Sequence, residues 1–404
     1  MPASADGSPR AILPSTAQLL DHEVGLAADG EATVVWERGT PPPSQIIPAA
    51  REVRIQAATV TPGSGVGRLQ LLARVRSANG TSLELGVSPG GRALAMWTGD
   101  DGRIRYATRS SGTRFGPARR FGHRGYVYRV VPARNGEFHV VWSSGDTLHV
   151  VTGSPRAGFG DPAKLSARGS SWDDFEFNPG GTMMVITELD RVGVRIWLRS
   201  PGGRFRRAGQ IVGGSSGEAA VLRPDGSIVA LSSGCGPDDE TGICEQIRPP
   251  GGEFSRARVI AKNGAFAQPA VDARGRMTAL WDLAEQNGGV GGVALATAQP
   301  GHGFGRATRV VGHGGSNGGL AVGPGGRRLM TWYKNAKGGR HFRLHAASWS
   351  ARSSPGSGRT LDSHDTDDEK LAVAHGRALV VWTRQARNSR AGRGLFYSFV
   401  TPGD

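Results

Sequence analysis

The stretches DGEATVVW (residues 29–36) and RNGEFHVVW (residues 134–142) decide the fold of this chain. Each places a turn glycine six residues before the end of a short apolar run, and this spacing occurs eight times. The distance along the chain from the end of one apolar run to the end of the next is in most cases close to the roughly 40–50 residues of one four-stranded propeller blade. The eight instances are Gly30 to Trp36, Gly91 to Trp97, Gly136 to Trp142, Gly181 to Thr187, Gly226 to Ser232, Gly275 to Trp281, Gly326 to Trp332 and Gly376 to Trp382.

Every repeat divides into four short strands, which the third repeat shows most clearly. Its strands are predicted at residues 128–132, 137–142, 147–152 and 162–166. Pairs such as Asp29-Gly30 and Asp225-Gly226 between the first two strands are typical of two-residue hairpins with positive φ. We therefore predict an all-β fold, a single eight-bladed β-propeller of four-stranded antiparallel blades, with one domain over residues 1–404.

A large apolar residue also recurs in the turn between the third and fourth strands. We expect these residues and the repeated tryptophans to form the core, wedged between neighbouring sheets. The residues of this turn are Val66, Phe115, Phe159, Phe205, Phe254 and Phe304.

The two ends of the chain complement one another. The eighth repeat supplies three strands and lacks a fourth, while residues 9–13 resemble the fourth strands at 255–259 and 305–309. We predict that residues 9–13 pair with residues 395–400 in the last blade, which closes the propeller and removes an exposed sheet edge.

The turns SSGTRFG (110–116), SPGGRF (200–205) and PPGGEF (249–254) resemble worn Asp boxes, the Ser-x-Asp-x-Gly-x-Thr-Trp turns of sialidases and related propellers. The resemblance implies a sialidase-like β-propeller scaffold. The Asp of the motif is absent and Phe stands in place of Trp. The arginine triad, the Tyr/Glu nucleophile pair and the acid Asp of a sialidase have no match here, so we assign no catalytic residue on this basis.

The excess of basic residues raises the question of whether the protein binds a polyanion. A formal net charge of +15 suits a polyanion, but only five of the 49 basic residues are Lys, and a GC-rich coding sequence gives the same Arg bias. We therefore do not expect a nucleic acid. No run of apolar residues is long enough to span a membrane, and we expect a monomer.

The loops that vary in length all lie on one predicted face of the propeller, where binding sites are usually placed. Carboxylates gather where the first strands begin, at the expected mouth of the central channel. They would suit sugar hydroxyls or a cation such as Ca²⁺, but charged residues that simply face water are the simpler interpretation. We predict no cofactor, with Ca²⁺ at the channel mouth as the open alternative. The residues are Glu23, Glu84, Asp173, Asp174, Glu176, Glu218, His364, Asp365, Asp367, Asp368 and Glu369.

Two aromatic residues are candidate sugar platforms. Trp172 precedes a first strand beside Asp173 and Asp174, and Tyr126 lies in the equivalent segment of the preceding blade. A ring beside carboxylates can stack on a sugar while the acids bind its hydroxyls. Trp172 would otherwise cover the end of its blade.

A set of basic residues occupies the loops between the second and third strands of the last two blades. It could hold an anionic glycan or another polyanion, or it could be solvated loop charge. The residues are Lys334, Lys337, Arg340, His341, Arg384, Arg387, Arg390 and Arg393.

The only two cysteines, Cys235 and Cys244, flank a loop in the fifth repeat. Strands that neighbour each other at the base of a hairpin are close enough for a disulfide, which we predict here. The bond would place the protein in an oxidising compartment, extracellular or periplasmic. MPASADGSPR at the start has neither a basic nor an apolar region, so no signal peptide is visible in this chain.

These features predict a secreted or surface-exposed binding module for carbohydrate or another surface polymer. We do not expect an enzyme, but a glycoside hydrolase or lyase on the same scaffold stays open, because Asp174 and Glu218 could face one another. A structural or protein-interaction scaffold is the second alternative.

Overall fold

In the computed structural model the elements of the described residues are β-strands, apart from a 3-10 turn at Gly136. The described residues contain no helix that is long and apolar enough to cross a membrane. The structure describes residues 8–14, 19–39, 51–77, 81–133, 136–166, 172–189, 193–212, 219–235, 242–284, 290–323, 325–335, 342–350, 353–364, 366–374, 376–385 and 393–400.

The strands form eight antiparallel sheets, and the chain is an eight-bladed all-β propeller, as the glycine repeat predicts. The sheets belong to two compact units. Unit 1 comprises Met1–Ser166 with His364–Thr401, and unit 2 comprises Ala167–Ser363 with Pro402–Asp404.

Unit 1 begins with a short strand, β1 (Arg10–Leu13), and then forms blades 1 to 3. In blades 1 and 3 the outermost position is shared by a two-residue strand and a longer one. Blade 1 has β2 (Leu19–Leu26), β3 (Ala32–Gly39), β4 (Arg51–Thr61), β5 (Gly65–Val66) and β6 (Gln70–Ser77). Blade 2 has β7 (Leu83–Val87), β8 (Ala93–Thr98), β9 (Arg103–Arg109) and β10 (Arg119–Arg124). Blade 3 has β11 (Tyr126–Pro132), β12 (Phe138–Ser144), β13 (Thr147–Ser154), β14 (Gly158–Phe159) and β15 (Ala163–Ser166).

Unit 2 contains blades 4 to 7, each with four strands in sequence order. Blade 4 has β16 (Trp172–Phe177), β17 (Met183–Leu189), β18 (Gly193–Arg199) and β19 (Arg206–Val212). Blade 5 has β20 (Ala219–Leu222), β21 (Ile228–Ser233), β22 (Ile243–Arg248) and β23 (Arg258–Ala261). Blade 6 has β24 (Ala265–Val271), β25 (Met277–Ala284), β26 (Val290–Ala298) and β27 (Thr308–Val311). Blade 7 has β28 (Gly315–Val322), β29 (Arg328–Asn335), β30 (Phe342–Trp349) and β31 (Arg359–Asp362).

Blade 8 belongs to unit 1 and is completed by the N-terminal strand. Its order is β1, β34 (Arg393–Val400), β33 (Arg377–Gln385) and β32 (Thr366–Ala374). Arg10 is paired with Tyr397 and Leu13 with Leu395, so the predicted pairing of the two ends is confirmed. Ile12 and Leu13 are buried in the core that blade 8 shares with blade 1.

The repeated glycines close a turn slightly different from the predicted two-residue hairpin. The Gly30 N–H donates to the Ala27 carbonyl (3.0 Å), and the Ala27 N–H donates to the Glu31 carbonyl (2.9 Å). Three residues therefore lie between the closing pair, with Gly30 last at φ 89°. This is the common hairpin in which a turn is followed by a left-handed residue, a conformation in which glycine avoids the steric cost of a Cβ.

The tryptophans of the repeat form the core, as predicted. Trp36, Trp97, Trp142, Trp281 and Trp382 are almost completely buried. The turn residues also behave as predicted wherever their packing is described. Phe115 packs between blades 1 and 2, and Phe304 packs between blades 5 and 6.

Candidate functional site

The first strands of four blades lie side by side in unit 1. β32 contacts β2, β2 contacts β7, and β7 contacts β11. This arrangement brings together two predicted site residues, Glu23 on β2 and Glu84 on β7, with Asp21 of β2. We call Asp21, Glu23 and Glu84 the carboxylate cluster.

Lys370 of β32 supplies a positive charge to the cluster. Its Nζ lies 2.8 Å from Glu23 Oε1. Burial by itself lowers the pKa of Lys370, but the carboxylates of Glu23, Asp21 and Asp368 outweigh it and raise that pKa above its usual value. Lys370 is therefore firmly protonated and holds Glu23 in an ion pair.

Glu84 is the most strongly perturbed acid of the cluster. Burial first, and then the negative charges of Glu23 and Asp21, raise the pKa of Glu84 from 4.5 to about 8. The positive charges of Arg129 on β11 and of Lys370 act in the opposite direction but do not compensate. Glu84 is accordingly a neutral carboxylic acid at pH 7, able to donate a hydrogen bond as well as accept one.

The pKa of Asp21 is raised as well, but less than that of Glu84. Burial and the charge of Glu23 raise its pKa from 3.8 to about 6, against the opposing effects of Lys370 and His22. The backbone N–H of His22 donates to Asp21 Oδ1 at 2.7 Å. Two neighbouring acids of the cluster thus differ in protonation at neutral pH, because burial and charge act on them to different extents.

Tyr126, a predicted sugar platform, lies at the start of β11 beside this cluster. Its side chain is 53% exposed, and its ring lies 5.1 Å from that of Tyr128 at an interplanar angle of 55°. Partial burial and the negative charges of Asp21 and Glu84 raise the pKa of Tyr126. An exposed ring and acidic groups therefore occupy one surface of unit 1.

His22 and Asp368 support the same strands from the interior. The His22 imidazole is fully buried, and its Nδ1 lies 3.4 Å from Asp368 Oδ2. This contact is the main reason that the pKa of Asp368 lies below its usual range. Asp368 also has a left-handed backbone with φ 50°, unusual for a non-glycine residue. Asp368 thus belongs to the acidic run predicted at the mouth, and its partner is a buried histidine.

The described residues contain no group of three or more His, Cys, Asp or Glu side chains placed to hold a metal ion. Two of the predicted acidic residues, Glu218 and Asp365, lie outside the described residues, and the side chain of Asp367 is not described. His364 and Glu369 lie in unit 1 near Asp368, and Glu176 lies on β16 in unit 2.

The predicted residues of blade 4 lie in unit 2. Trp172 opposes Thr187 and Asp174 opposes Ile186, with a register shift between the two pairs. Asp174 Oδ1 accepts the backbone N–H of Phe175 at 2.7 Å. Only the backbone positions of Trp172 and Asp173 are described.

The predicted basic set is described in part. Lys334 is exposed on β29 in unit 2, and Arg384 lies on β33 in unit 1, with its guanidinium 4.0 Å from the centre of the Phe396 ring. Arg393 begins β34. Lys337, Arg340, His341, Arg387 and Arg390 lie outside the described residues.

The predicted disulfide is confirmed. Cys235 and Cys244 are bonded, with their Cα atoms 6.0 Å apart. Cys244 lies on β22 opposite Ser232 of β21, so the bond ties the base of the loop between these strands.

Sequence reasoning missed Asp21, Lys370 and Arg129. A signal for Arg129 was present, since Glu23, Glu84 and Arg129 each stand seven residues before the turn glycine of their repeat. Asp174 occupies the same place in the fourth repeat. Asp21 could have been found from strand alternation, because residues two apart face the same side.

No protein-family model matches the chain, and no curated protein matches it either. The chain is similar in structure to a prolyl endopeptidase, with a TM-score of 0.52 and 10% identity over 93% of this chain and 56% of that one. It thus spans little more than half of that enzyme. A virginiamycin B lyase from Staphylococcus aureus gives 0.49 and 8% identity over 79% and 95% of the two chains. YCF48 bound to D1 peptide gives 0.49 and 10% identity over 99% of each chain. At 10% identity the likeness to the prolyl endopeptidase shows the fold alone.

Proposed function

We propose that this propeller is a binding module for carbohydrate or another hydroxyl-rich surface polymer, with Tyr126 and the carboxylate cluster as its contacts. The observation that carries the proposal is the exposed ring of Tyr126 beside Asp21 and Glu84. Sugars present apolar C–H faces that stack on aromatic rings and hydroxyls that need both donors and acceptors.

The protonation states of the cluster suit a neutral polar ligand. Glu84, with a pKa of about 8, can donate a hydrogen bond to a hydroxyl oxygen, and Glu23 can accept one from a hydroxyl hydrogen. Lys370 already balances the charge of Glu23. A hydroxyl-rich ligand therefore fits this surface better than a cation, which would compete with Lys370.

The other residues predicted from the sequence are further proposed ligand contacts. In unit 2, Trp172, Asp173, Asp174 and Glu218 stay predicted contacts for a glycan, and Asp174 holds the place in its repeat that corresponds to Glu23 and Glu84. Lys334 in unit 2 and Arg384 in unit 1 each stay predicted contacts for acidic groups of the polymer. The disulfide supports an extracellular or periplasmic location, because such bonds persist in oxidising compartments. On the basis of the Gly-x-Phe turns, we also propose that the protein is related to sialidase-like propellers. We propose further that it is a monomer.

The test begins with a glycan array probed with the full chain, followed by calorimetry on the ligands that bind. We expect Tyr126→Ala to weaken binding about tenfold, equivalent to about 1.4 kcal/mol, with an unchanged melting temperature. Phe342→Ala removes another exposed aromatic side chain and is the matched control. Equal affinities of Tyr126→Ala and the parent chain would remove Tyr126 from the site. An array without hits would favour the protein-interaction scaffold.

A glycoside hydrolase or lyase is the second candidate, favoured by the different pKa values of Glu84 and Asp21. A carboxylic acid that stays protonated near pH 7 suits a general acid, and a neighbouring ionised carboxylate suits a base. Release of reducing ends, or of an unsaturated product, from a bound glycan would establish the activity. Glu84→Gln should then abolish turnover while binding persists, and turnover that survives this change would exclude Glu84 as the acid.

A further inference from the structure

A second polar site lies in unit 1, outside the carboxylate cluster. A cleft of about 150 Å³ opens between blade 1 and the turn that joins β9 to β10 in blade 2. Besides Thr59 and Thr113, its polar lining consists of Glu31, Arg68, Gln70, Arg109 and Arg114. The lining therefore includes three arginines and one glutamate.

Arg109 is the buried member of this set, with a side chain only 1% exposed. One terminal nitrogen is paired with Glu31 Oε1, and the other donates to the Thr113 carbonyl at 3.4 Å. The third nitrogen of the guanidinium, Nε, is buried and has no hydrogen-bond partner within the described residues. Arg109 is therefore a buried guanidinium whose charge is balanced by Glu31 alone among the described ion pairs.

The wall of the cleft is held in place by specific bonds. Gln70 Nε2 donates to the Phe115 carbonyl at 2.7 Å, and the Phe115 N–H donates to Gln70 Oε1 at 2.9 Å. Phe115 is itself buried between blades 1 and 2. The turn that carries Thr113 and Arg114 is therefore fixed against blade 1, which preorganises the cleft for a ligand.

We propose that this cleft binds a tetrahedral oxyanion, either free sulfate or the sulfate ester of a polysaccharide. Arg109 contributes its buried positive charge, while the exposed Arg68 and Arg114 contribute charge-assisted hydrogen bonds from the rim. Three arginines from different segments give the lining of the cleft a net positive charge, which favours an anion. Glu31 is a competitor, because it occupies a donor of Arg109 when the site is empty.

Calorimetric titration of the full chain with sodium sulfate, with chloride added to keep the ionic strength constant, tests the site. We expect saturable binding that Arg68→Gln and Arg114→Gln each weaken about tenfold, equivalent to about 1.4 kcal/mol. Arg256→Gln, at an exposed arginine in a turn of blade 5, is the matched control and should bind as the parent chain does. Melting curves confirm that each variant is folded.

Glu31→Gln separates a binding role from a structural one. Removal of the competing charge should tighten sulfate binding several-fold, whereas an arginine cluster that only stabilises the fold would gain nothing. Failure of the parent chain to bind sulfate saturably, unchanged affinity in both rim variants, or no gain in Glu31→Gln would each overturn the proposal.

Dextran sulfate and neutral dextran distinguish the two sources of the anion. Displacement of sulfate by dextran sulfate, dependent on Arg68 and Arg114, identifies a polymer ester as ligand. Binding of inorganic sulfate alone identifies a free anion, and both results support the site. Tyr126→Ala should leave sulfate binding unchanged, so failure at the carbohydrate site and failure at this cleft are distinguishable.

Discussion

Glu84→Gln should make the stability of the protein less dependent on pH. The unfolded chain releases the Glu84 proton near pH 4.5, whereas the folded chain retains it until about pH 8. Between these values the folded state binds more protons than the unfolded state, so its stability falls as the pH rises. This loss of folding stability is complete above about pH 8, and it is absent below pH 4.5.

The size of the effect follows from the two pKa values. At about 1.4 kcal/mol for each pKa unit, the interval from 4.5 to about 8 corresponds to at most about 5 kcal/mol. Relaxation of the folded protein around an ionised Glu84 lowers this upper value, so we expect about 2 kcal/mol in practice. A neutral glutamine avoids this penalty, and Glu84→Gln should be more stable than the parent chain at pH 9 and about equal to it at pH 4.5.

Urea denaturation at pH 4.5, 7 and 9 measures this difference. Glu253→Gln, in an exposed turn of blade 5, is the control and should show the same difference from the parent chain at every pH. Glu23→Gln adds a second check, since removal of the Glu23 charge should lower the pKa of Glu84 and move the sensitive range toward acid. If Glu84→Gln differs from the parent chain by the same amount at pH 4.5 and pH 9, the assigned perturbation of Glu84 is wrong.

Three other predictions concern the two ends, the disulfide and blade 4. Deletion of residues 1–16 should cost about 3–5 kcal/mol, because it exposes the contacts of Ile12 and Leu13 and opens the edge of β34; an unchanged denaturation midpoint would contradict the role of β1. Cys235→Ser with Cys244→Ser should cost about 2.7 kcal/mol by the loop-entropy relation. Peptide mapping without reduction should recover the two cysteines linked, and free alkylation of both thiols in protein from its native host would argue against the oxidising compartment. Trp172→Ala and Asp174→Asn should weaken glycan binding with little change in melting temperature, and a variant that fails to fold would instead assign its residue to the blade.

Part of the candidate site was accessible from the sequence. Glu23, Glu84 and Tyr126 could be selected because each lies in a first strand of its repeat, and the repeat brings the first strands together. The contact of Glu23 with Lys370 could not be predicted from the sequence, because Lys370 lies in a distant repeat whose first strand contacts β2. The charge of a residue can be read from its type, but its protonation depends on burial and on neighbours distant in sequence.

The sequence by itself determined the propeller, the number of blades, the pairing of the two ends and the disulfide. These features follow from local rules, namely the turn glycine, the alternation along each strand and the spacing of repeats. Tertiary structure alone decided that Glu84 is a neutral acid at pH 7 and that Glu31, Arg68, Arg109 and Arg114 surround one cleft. Those properties depend on how side chains of separate strands are buried against one another, which no short stretch of sequence specifies.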